Sequence, residues 1–464
     1  MKDIELNKEI AHKGNIKIIG ISEHQKVILK LALPVIAGLS TQMLLSVVDT
    51  AMVGRLPDAQ YALAAMGIAF FATWAVISFF SSLSNGTLVL TSRSFGSENF
   101  IEGGNVLKTS IIFGALLGIV VSVTVVSLAF PIGNLFAADN IVGQYAGSYL
   151  FYRFMAIPVF LITVSYRGFY FGLGKTKIFM IAGITANVLN IFFDYVLIYG
   201  AFGIKGMGLA GAGLGSSLAT IIEASIYFAF SISPDYRTKY NIYHNFKFQK
   251  NIAKSIVKIS LPISFQSIFT LTGLLLFISI IGLTGTLQQA ASQTVLSAMF
   301  LSYMPAMGFG IAAQTLVGNK LGENNINSAK QWGFETSKIA TTYTILLGLI
   351  FILLPKIVLS VLTKDSVIIQ TGIPLLRIAG LAQIFFGVGF VLSNGLLSAG
   401  ESFFVMLTDV TINWLIFVPV AYLLGITFNF GVVGVWVAMP FYTILYALII
   451  FMKFKYGKWK KIKI

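Results

Sequence analysis

The 464-residue sequence contains no cysteine, so disulfide bonds and thiol chemistry are excluded. Histidine is almost as scarce. His12, His24 and His244 all fall in polar connecting segments, which argues against a histidine-based metal centre. Charge is thin as well, at 11% of residues, and only 17 residues are acidic. No glycine-rich phosphate loop ending in Lys-Ser or Lys-Thr is visible, so ATP-driven work by this chain alone is not expected.

What is present is apolar. Hydrophobic residues make up 56% of the chain and the mean hydropathy is +0.86. A soluble chain of this length would divide into domains with polar surfaces; this composition predicts an all-α polytopic membrane protein. The net charge of +15 does not point to nucleic acid, because the lysines cluster in the tails and in alternate loops. The charged lead-in "MKDIELNKEIAHKGNIKIIGISEHQKVILK" (1–30) lacks the short basic stub and short apolar run of a cleavable signal.

A hydrocarbon core requires about 20 apolar residues per helix. Twelve segments meet that length, near 31–54, 62–90, 106–130, 143–172, 177–200, 208–232, 255–283, 288–318, 335–357, 371–398, 402–425 and 431–452. Several are long enough to require tilt or interruption, and "SLSNGTLVL" (82–90) is a weak point. Six basic residues lie in each of the lead-in, the loop 233–258 and the tail 453–464, whereas the opposite loops hold only Arg55, Lys205, Lys356 and Lys364. The positive-inside rule therefore puts both termini and the central loop in the cytoplasm.

The central loop separates two halves that match. "LKLALPVIAG" (29–38) returns as "VKISLPISFQ" (257–266), and "SRSFGSEN" (92–99) as "GNKLGENN" (318–325). Gly174 pairs with Gly400, Asn187 with Asn413, and Arg153 with Arg377 near the expected outer ends of spans 4 and 10. A shift of six spans preserves orientation, so the halves are parallel repeats, a design suited to alternating access. The expected division is a cytoplasmic segment (1–30), a first lobe (31–232), a linker (233–254), a second lobe (255–452) and a basic cytoplasmic tail (453–464).

Four acids fall within spans: Asp49, Asp194, Glu223 and Asp409. A carboxylate in hydrocarbon is costly and usually functional. At ~1.5 Å per residue, Asp49 and Asp194 lie at similar depth toward the outer ends of spans 1 and 5. Asn190 shares the helix face of Asp194, with Asn187 a turn further in. Span 6 opens with "GLAGAGLGSSLAT" (208–220), whose small residues permit close helix approach and bring in Ser216 and Ser217. Together these make an oxygen-rich pocket able to hold a hard cation such as Na+, or one shared proton. Glu223, near an inner end, is expected to snorkel, and Asp409 to be held by neighbours such as Thr408. The matching positions in the second half are Phe277 and Val420, so ion coupling is expected in the first half alone.

"LALPVIAGLSTQMLLSVVDTAMVG", "NIFFDYVLIYG" followed by "GLAGAGLGSS", and "LVGNKLGENN" resemble the multidrug and toxic compound extrusion (MATE) transporters across roughly 28–452, in family order. The resemblance implies a transporter rather than an enzyme. It implies twelve helices in a V-shaped pair of six-helix lobes around a central cavity, in a bacterial inner membrane. Such proteins expel organic cations or other amphipathic compounds in exchange for H+ or Na+, with no further cofactor. The DinF-like branch uses a site that maps to Asp49, Asn190, Asp194 and Ser216, the last a serine where threonine is more usual. The norfloxacin-exporter branch also uses acids in spans 7 and 10, where this sequence has Thr270 and Gly387. Gln42, Met43 and Tyr166 are expected on the cavity wall, and Asp409 and Glu223 are secondary acidic candidates. Expected partners are a small amphipathic substrate and the lipid bilayer, with the chain a monomer. The competing readings are a lipid-linked-sugar flippase of the same superfamily, which would need a cationic cavity, and a passive channel or scaffold, which would need no carboxylate pair.

Overall fold

The computed structural model describes residues 22–461. Residues 1–21 and 462–464, which include most of the expected cytoplasmic lead-in, lie outside the described residues. All regular structure among the described residues is helical.

The first half comprises α1 (Glu23–Val53), α2 (Ala59–Ser81), α3 (Leu83–Gly96), α4 (Phe100–Ser127), α5 (Ala129–Phe136), α6 (Asn140–Met155), α7 (Ile157–Gly172), α8 (Thr176–Tyr195) and α9 (Leu209–Ile232). A short turn, α10 (Pro234–Arg237), opens the central loop. The second half comprises α11 (Lys250–Gly282), α12 (Thr286–Gly322), α13 (Ile326–Leu353), α14 (Pro355–Leu362), α15 (Ser366–Ser398), α16 (Ser402–Ile412), α17 (Val418–Tyr422) and α18 (Gly431–Tyr456). Eleven stretches are long and apolar enough to cross a membrane, and the bent pair α6–α7 makes a twelfth.

Local chemistry accounts for the irregular places. The first helix starts ahead of the expected Leu31 because Ser22 and Gln25 form a reciprocal capping box. Span 2 breaks at Ser82, inside the expected weak point, where the Ser82 hydroxyl bonds back to the Phe79 carbonyl at 2.8 Å. The 51° bend between α6 and α7 follows from Pro158, which has no N–H to give the Phe154 carbonyl. Ser122 on α4 supplies the missing donor at 2.9 Å.

The internal repeat extends to backbone detail. Glu98 and Asn324, equivalent in the two halves, both adopt left-handed conformations (φ 58° and 57°). The next residues, Asn99 and Asn325, each cap the following helix with a side-chain oxygen. Gly174 and Gly400 are likewise both left-handed, at φ 68° and 91°. The wide π turn Val196–Gly200 that ends α8 has its counterpart in Leu423–Thr427 after α17.

Within the first half α8 packs on α1 and α9, and α9 packs on α6. In the second, α15 packs on α12, α13 and α18, while α11 packs on α16. The halves meet along a seam where α12 lies on α1 and α3 and α11 lies on α3. That approach depends on missing side chains. A Cβ on Gly96 would sit 1.9 Å from the Asn319 carbonyl oxygen, and one on Gly318 2.0 Å from Ser92 Oγ. One on Gly322 would sit 2.2 Å from the Arg93 carbonyl oxygen. The Ser82 and Ser264 hydroxyls meet across the seam at 2.5 Å, and Thr315 donates to the Phe171 carbonyl at 2.9 Å.

This seam is directly testable, because the chain has no native cysteine. The double variant Ser82→Cys/Ser264→Cys is expected to form a disulfide under mild oxidation, read as a linked peptide by mass spectrometry. Adding Gly96→Ala, whose methyl cannot fit against Asn319, is expected to reduce the linked fraction severalfold.

Candidate functional site

The first-half helices bring together residues remote in sequence. Asp49 comes from α1, Asn190 and Asp194 from α8, Ser216 from α9, and Tyr149 and Arg153 from α6. Asn190 and Asp194 are buried at 1% and 0% exposure, inside a bundle that places them away from water. The carboxyl groups of Asp49 and Asp194 lie close enough to interact directly. Asn190 Nδ2 donates to Asp194 Oδ1 at 3.1 Å.

Three glycines on α9 make this closeness possible. Gly211 and Gly215 share the face turned to α8, and Gly213 faces α6. A Cβ on Gly215 would lie 2.0 Å from Asp194 Oδ1, one on Gly211 2.4 Å from the Leu197 carbonyl oxygen, and one on Gly213 2.5 Å from the Tyr149 carbonyl oxygen. The "GLAGAGLGSS" stretch thus leaves space for a carboxylate rather than only for a neighbouring helix.

An ionised carboxylate only accepts hydrogen bonds. Two of them in contact require a proton or a cation between them. Asp49 Oδ1 and Asp194 Oδ2 are buried and receive no donor from another residue. The residues therefore fit either a shared proton or a hard cation held by the Asp49, Asp194 and Asn190 oxygens with nearby hydroxyls. The hydroxyls of Ser216 and Tyr149 lie near each other, and Tyr149 is within electrostatic reach of both carboxylates. Arg153 lies within electrostatic reach of Asp49, Asp194, Tyr149 and Glu223, and its Nη1 is 3.4 Å from Thr220 Oγ1. Among the described residues no three His, Cys, Asp or Glu side chains gather as a metal centre.

Other expected residues are placed elsewhere. Asn187 donates to Thr41 Oγ1 at 3.0 Å, clamping α8 to α1 about two helical turns from the carboxylates rather than joining them. Glu223 does not snorkel; it forms a 2.9 Å ion pair with Arg167 and accepts from the Tyr227 hydroxyl at 3.3 Å. Tyr166 is not on a cavity wall. It is 4% exposed and stacked with Tyr170 and Tyr227, because the α7–α9 interface is an aromatic core. Gln42 and Met43 are exposed on α1, Met43 at 38%. Asp409 is held not by Thr408 but by Gln266 Nε2 at 2.8 Å, Thr270 Oγ1 at 3.1 Å and the Tyr442 hydroxyl.

Tyr149 escaped the sequence reading, and Arg153 was expected near an outer helix end. The signal was their four-residue spacing in "SYLFYR", which puts a hydroxyl and a cation on one face of a span. The bend after Met155 hides it, since it turns what reads as one long span into two arms with Arg153 near the elbow. In the second half, Phe277 replaces Asp49 and is fully buried, its ring 4.9 Å from Phe417 and 5.5 Å from Trp436. Val420, which replaces Asp194, packs on the same cluster. An apolar plug stands where the first half has its carboxylate pair.

The MatE family model matches residues 34–196 and 262–423 of the chain. A probable multidrug resistance protein NorM from Thermotoga maritima is 26% identical over 453 residues, covering 95% of this chain and 94% of that protein. An uncharacterised transporter, YisQ of Bacillus subtilis, is 24% identical over 415 residues, covering 87% of this chain and 88% of that protein. Among solved structures, a MATE protein in the straight conformation superposes with a TM-score of 0.85 at 21% identity, covering 93% of this chain and 95% of that one. A MOP superfamily transporter from Pyrococcus furiosus superposes equally well, at 0.85 and 22% identity, with the same coverage.

The α9 packing carries a stability prediction. Gly215→Ala forces a methyl into the Asp194 carboxylate and is expected to destabilise the fold by about 1–3 kcal/mol, read as a lower unfolding temperature in detergent. Gly183→Ala, with open space around its Cβ position, is the matched control and is expected to leave that temperature unchanged.

Proposed function

Since the chain belongs to the MatE family of multi-pass membrane transporters, we propose that it is a secondary antiporter exporting organic cations or other amphipathic compounds in exchange for H+ or Na+. The observation that carries the reading is the Asp49–Asp194 carboxyl contact, buried among Asn190, Ser216, Tyr149 and Arg153. The lobes 31–232 and 255–452 move against each other about the glycine-lined seam, with the termini and central loop in the cytoplasm of an inner membrane.

The ion enters between the two carboxylates and removes their need for Arg153 as a counter-charge. Helices α1, α8 and α9 then repack, because the group that held them apart or together has changed its charge. Only a difference in ion affinity between the two lobe arrangements drives the cycle. Each charge moved contributes about 2.3 kcal/mol per 100 mV, plus the concentration gradient. A lipid-linked-sugar flippase would need free cationic groups in its cavity. Arg153 faces the carboxylates and Arg167 is paired with Glu223, which favours the antiport reading.

In proteoliposomes loaded to report a fluorescent organic cation, an imposed H+ or Na+ gradient is expected to drive uptake or efflux that Asp49→Asn abolishes. Undiminished gradient-driven transport in Asp49→Asn would sink this reading. Arg153→Gln removes the resident cation that competes with the coupling ion. The ion concentration giving half-maximal transport is therefore expected to fall severalfold, and an unchanged value would remove Arg153 from the coupling step.

A further inference from the structure

Arg377 is the repeat partner of Arg153, and the carboxylate mechanism makes no use of it. Arg153 turns to the carboxylates of its own lobe, whereas Arg377, on α15, is exposed. Phe386 and Phe390 of α15 pack on Tyr303 of α12, the helix that lies on the first lobe. At roughly 100° per residue, Arg377 falls on the opposite side of α15, in line with the exposed Leu381 and Phe385 at four-residue spacing. That side looks away from the first lobe and into the bilayer. Arg377 Nε donates to the Ile352 carbonyl at 3.3 Å. Ile352 is the last residue but one of α13, so the guanidinium sits where that span ends, on the membrane face opposite the central loop. Among the described residues it has no further hydrogen bond and no ion pair. An exposed, unpaired guanidinium at the edge of hydrocarbon takes its counter-charge from what the bilayer offers.

The neighbourhood is cationic. The connection from α13 to α15 carries Lys356 and Lys364, both exposed, against one acid, Asp365. Lys356 follows Ile352 by four residues, in the first turn of α14. Asp365 is already engaged: its Oδ1 accepts from the Val367 and Ile368 amides and caps α15. The short helix α14 is held against α15 by one side. Pro355 and Leu359 are buried, and a Cβ on Gly372 would lie 3.1 Å from Leu359 Cδ1. Its other side, Ile357 and Val361, is exposed apolar surface, the pattern of a helix lying in the headgroup layer. The matching connection of the first half, 128–139, has no lysine or arginine. The charge therefore belongs to one lobe and is not part of the shared scaffold.

We propose that Arg377 and Lys356 bind the phosphodiester of an anionic bilayer lipid in the leaflet opposite the central loop, with its acyl chains along Leu353, Leu381 and Phe385. A guanidinium offers phosphate a two-pronged donor, and both Nη groups of Arg377 are without a partner among the described residues. Lys356 and Lys364 decide the lipid class. The ammonium of a zwitterionic headgroup would meet like charge there, whereas an uncharged glycerol headgroup would not. The site lies outside the carboxylate pair and does not rest on the ion-coupling reading.

The test is headgroup-selective fluorescence quenching in bilayers. The chain has no native cysteine, so Leu353→Cys, next to the carbonyl that Arg377 touches, takes a single fluorophore in the full-length protein. The labelled protein is reconstituted in mixtures of phosphatidylglycerol and phosphatidylcholine, with bromine on the chains of one lipid or the other. Brominated phosphatidylglycerol is expected to quench with a severalfold higher apparent association constant than brominated phosphatidylcholine. Arg377→Gln is expected to bring the two lipids to parity, Lys356→Gln to lower the preference by a smaller factor, and Arg377→Lys to retain part of it. Lys205→Gln, the same loss of charge on the same membrane face but in the first half, is expected to change nothing. Parity in the labelled parent protein overturns the proposal. So does a preference that survives in both Arg377→Gln and Lys356→Gln, or that falls equally in Lys205→Gln. A preference that inorganic phosphate removes at constant ionic strength also overturns it, because the site would then be one for the free anion.

Discussion

In a bilayer every polar group buried in a span must find its partner inside the protein, and the architecture follows from how each one does. The backbone shows the rule at its simplest. Pro158 leaves the Phe154 carbonyl without a donor, the helix bends there, and Ser122 supplies the bond. The four acids show three different solutions. Glu223 has an arginine, Asp49 and Asp194 have each other and share another arginine, and Asp409 has only neutral donors. A satisfied acid contributes to structure.

Gene duplication is written in the turns and caps, yet the two halves have diverged at the positions that matter for charge. Glu98 and Asn324 keep the same left-handed backbone, and Asn99 and Asn325 the same cap. By contrast, Phe277, Phe417 and Trp436 fill the space where the first half carries its carboxylates. The scaffold is alike in both halves because the same turns and caps set the same helix starts. The filling differs, with carboxylates in one half and packed rings at the matching positions of the other.

Much of this was legible in the sequence. Hydropathy and the twofold pattern of spans fix the helix count, since apolar length is a strong signal that tertiary contacts rarely override. The Asp49–Asp194 partnership was readable from matched depth, and Asn190 from its four-residue spacing. Side-chain direction was not. Tyr166 reads as a cavity residue by composition but turns into the α7–α9 core, because an aromatic on a span says nothing about which neighbour it faces. The approach of Arg153 to the carboxylates was not legible, because a straight-helix reading of span 4 cannot see the bend at Ala156. Asp409 found its partners on α11 and α18, far along the chain, where local spacing has no reach.

The seam between the halves combines two kinds of contact. Gly96, Gly318 and Gly322 let backbone meet backbone or serine hydroxyl across the join. Beside them, Ile28 and Leu31 of α1 share an apolar cluster with Phe309 and Leu316 of α12, and Val89 of α3 shares another with Ile259 and Ile263 of α11. The glycines set how near the two backbones come, and the side chains fill what that distance leaves. A methyl added at one glycine therefore acts at long range: it lifts one backbone from the other and loosens apolar contacts along the whole join.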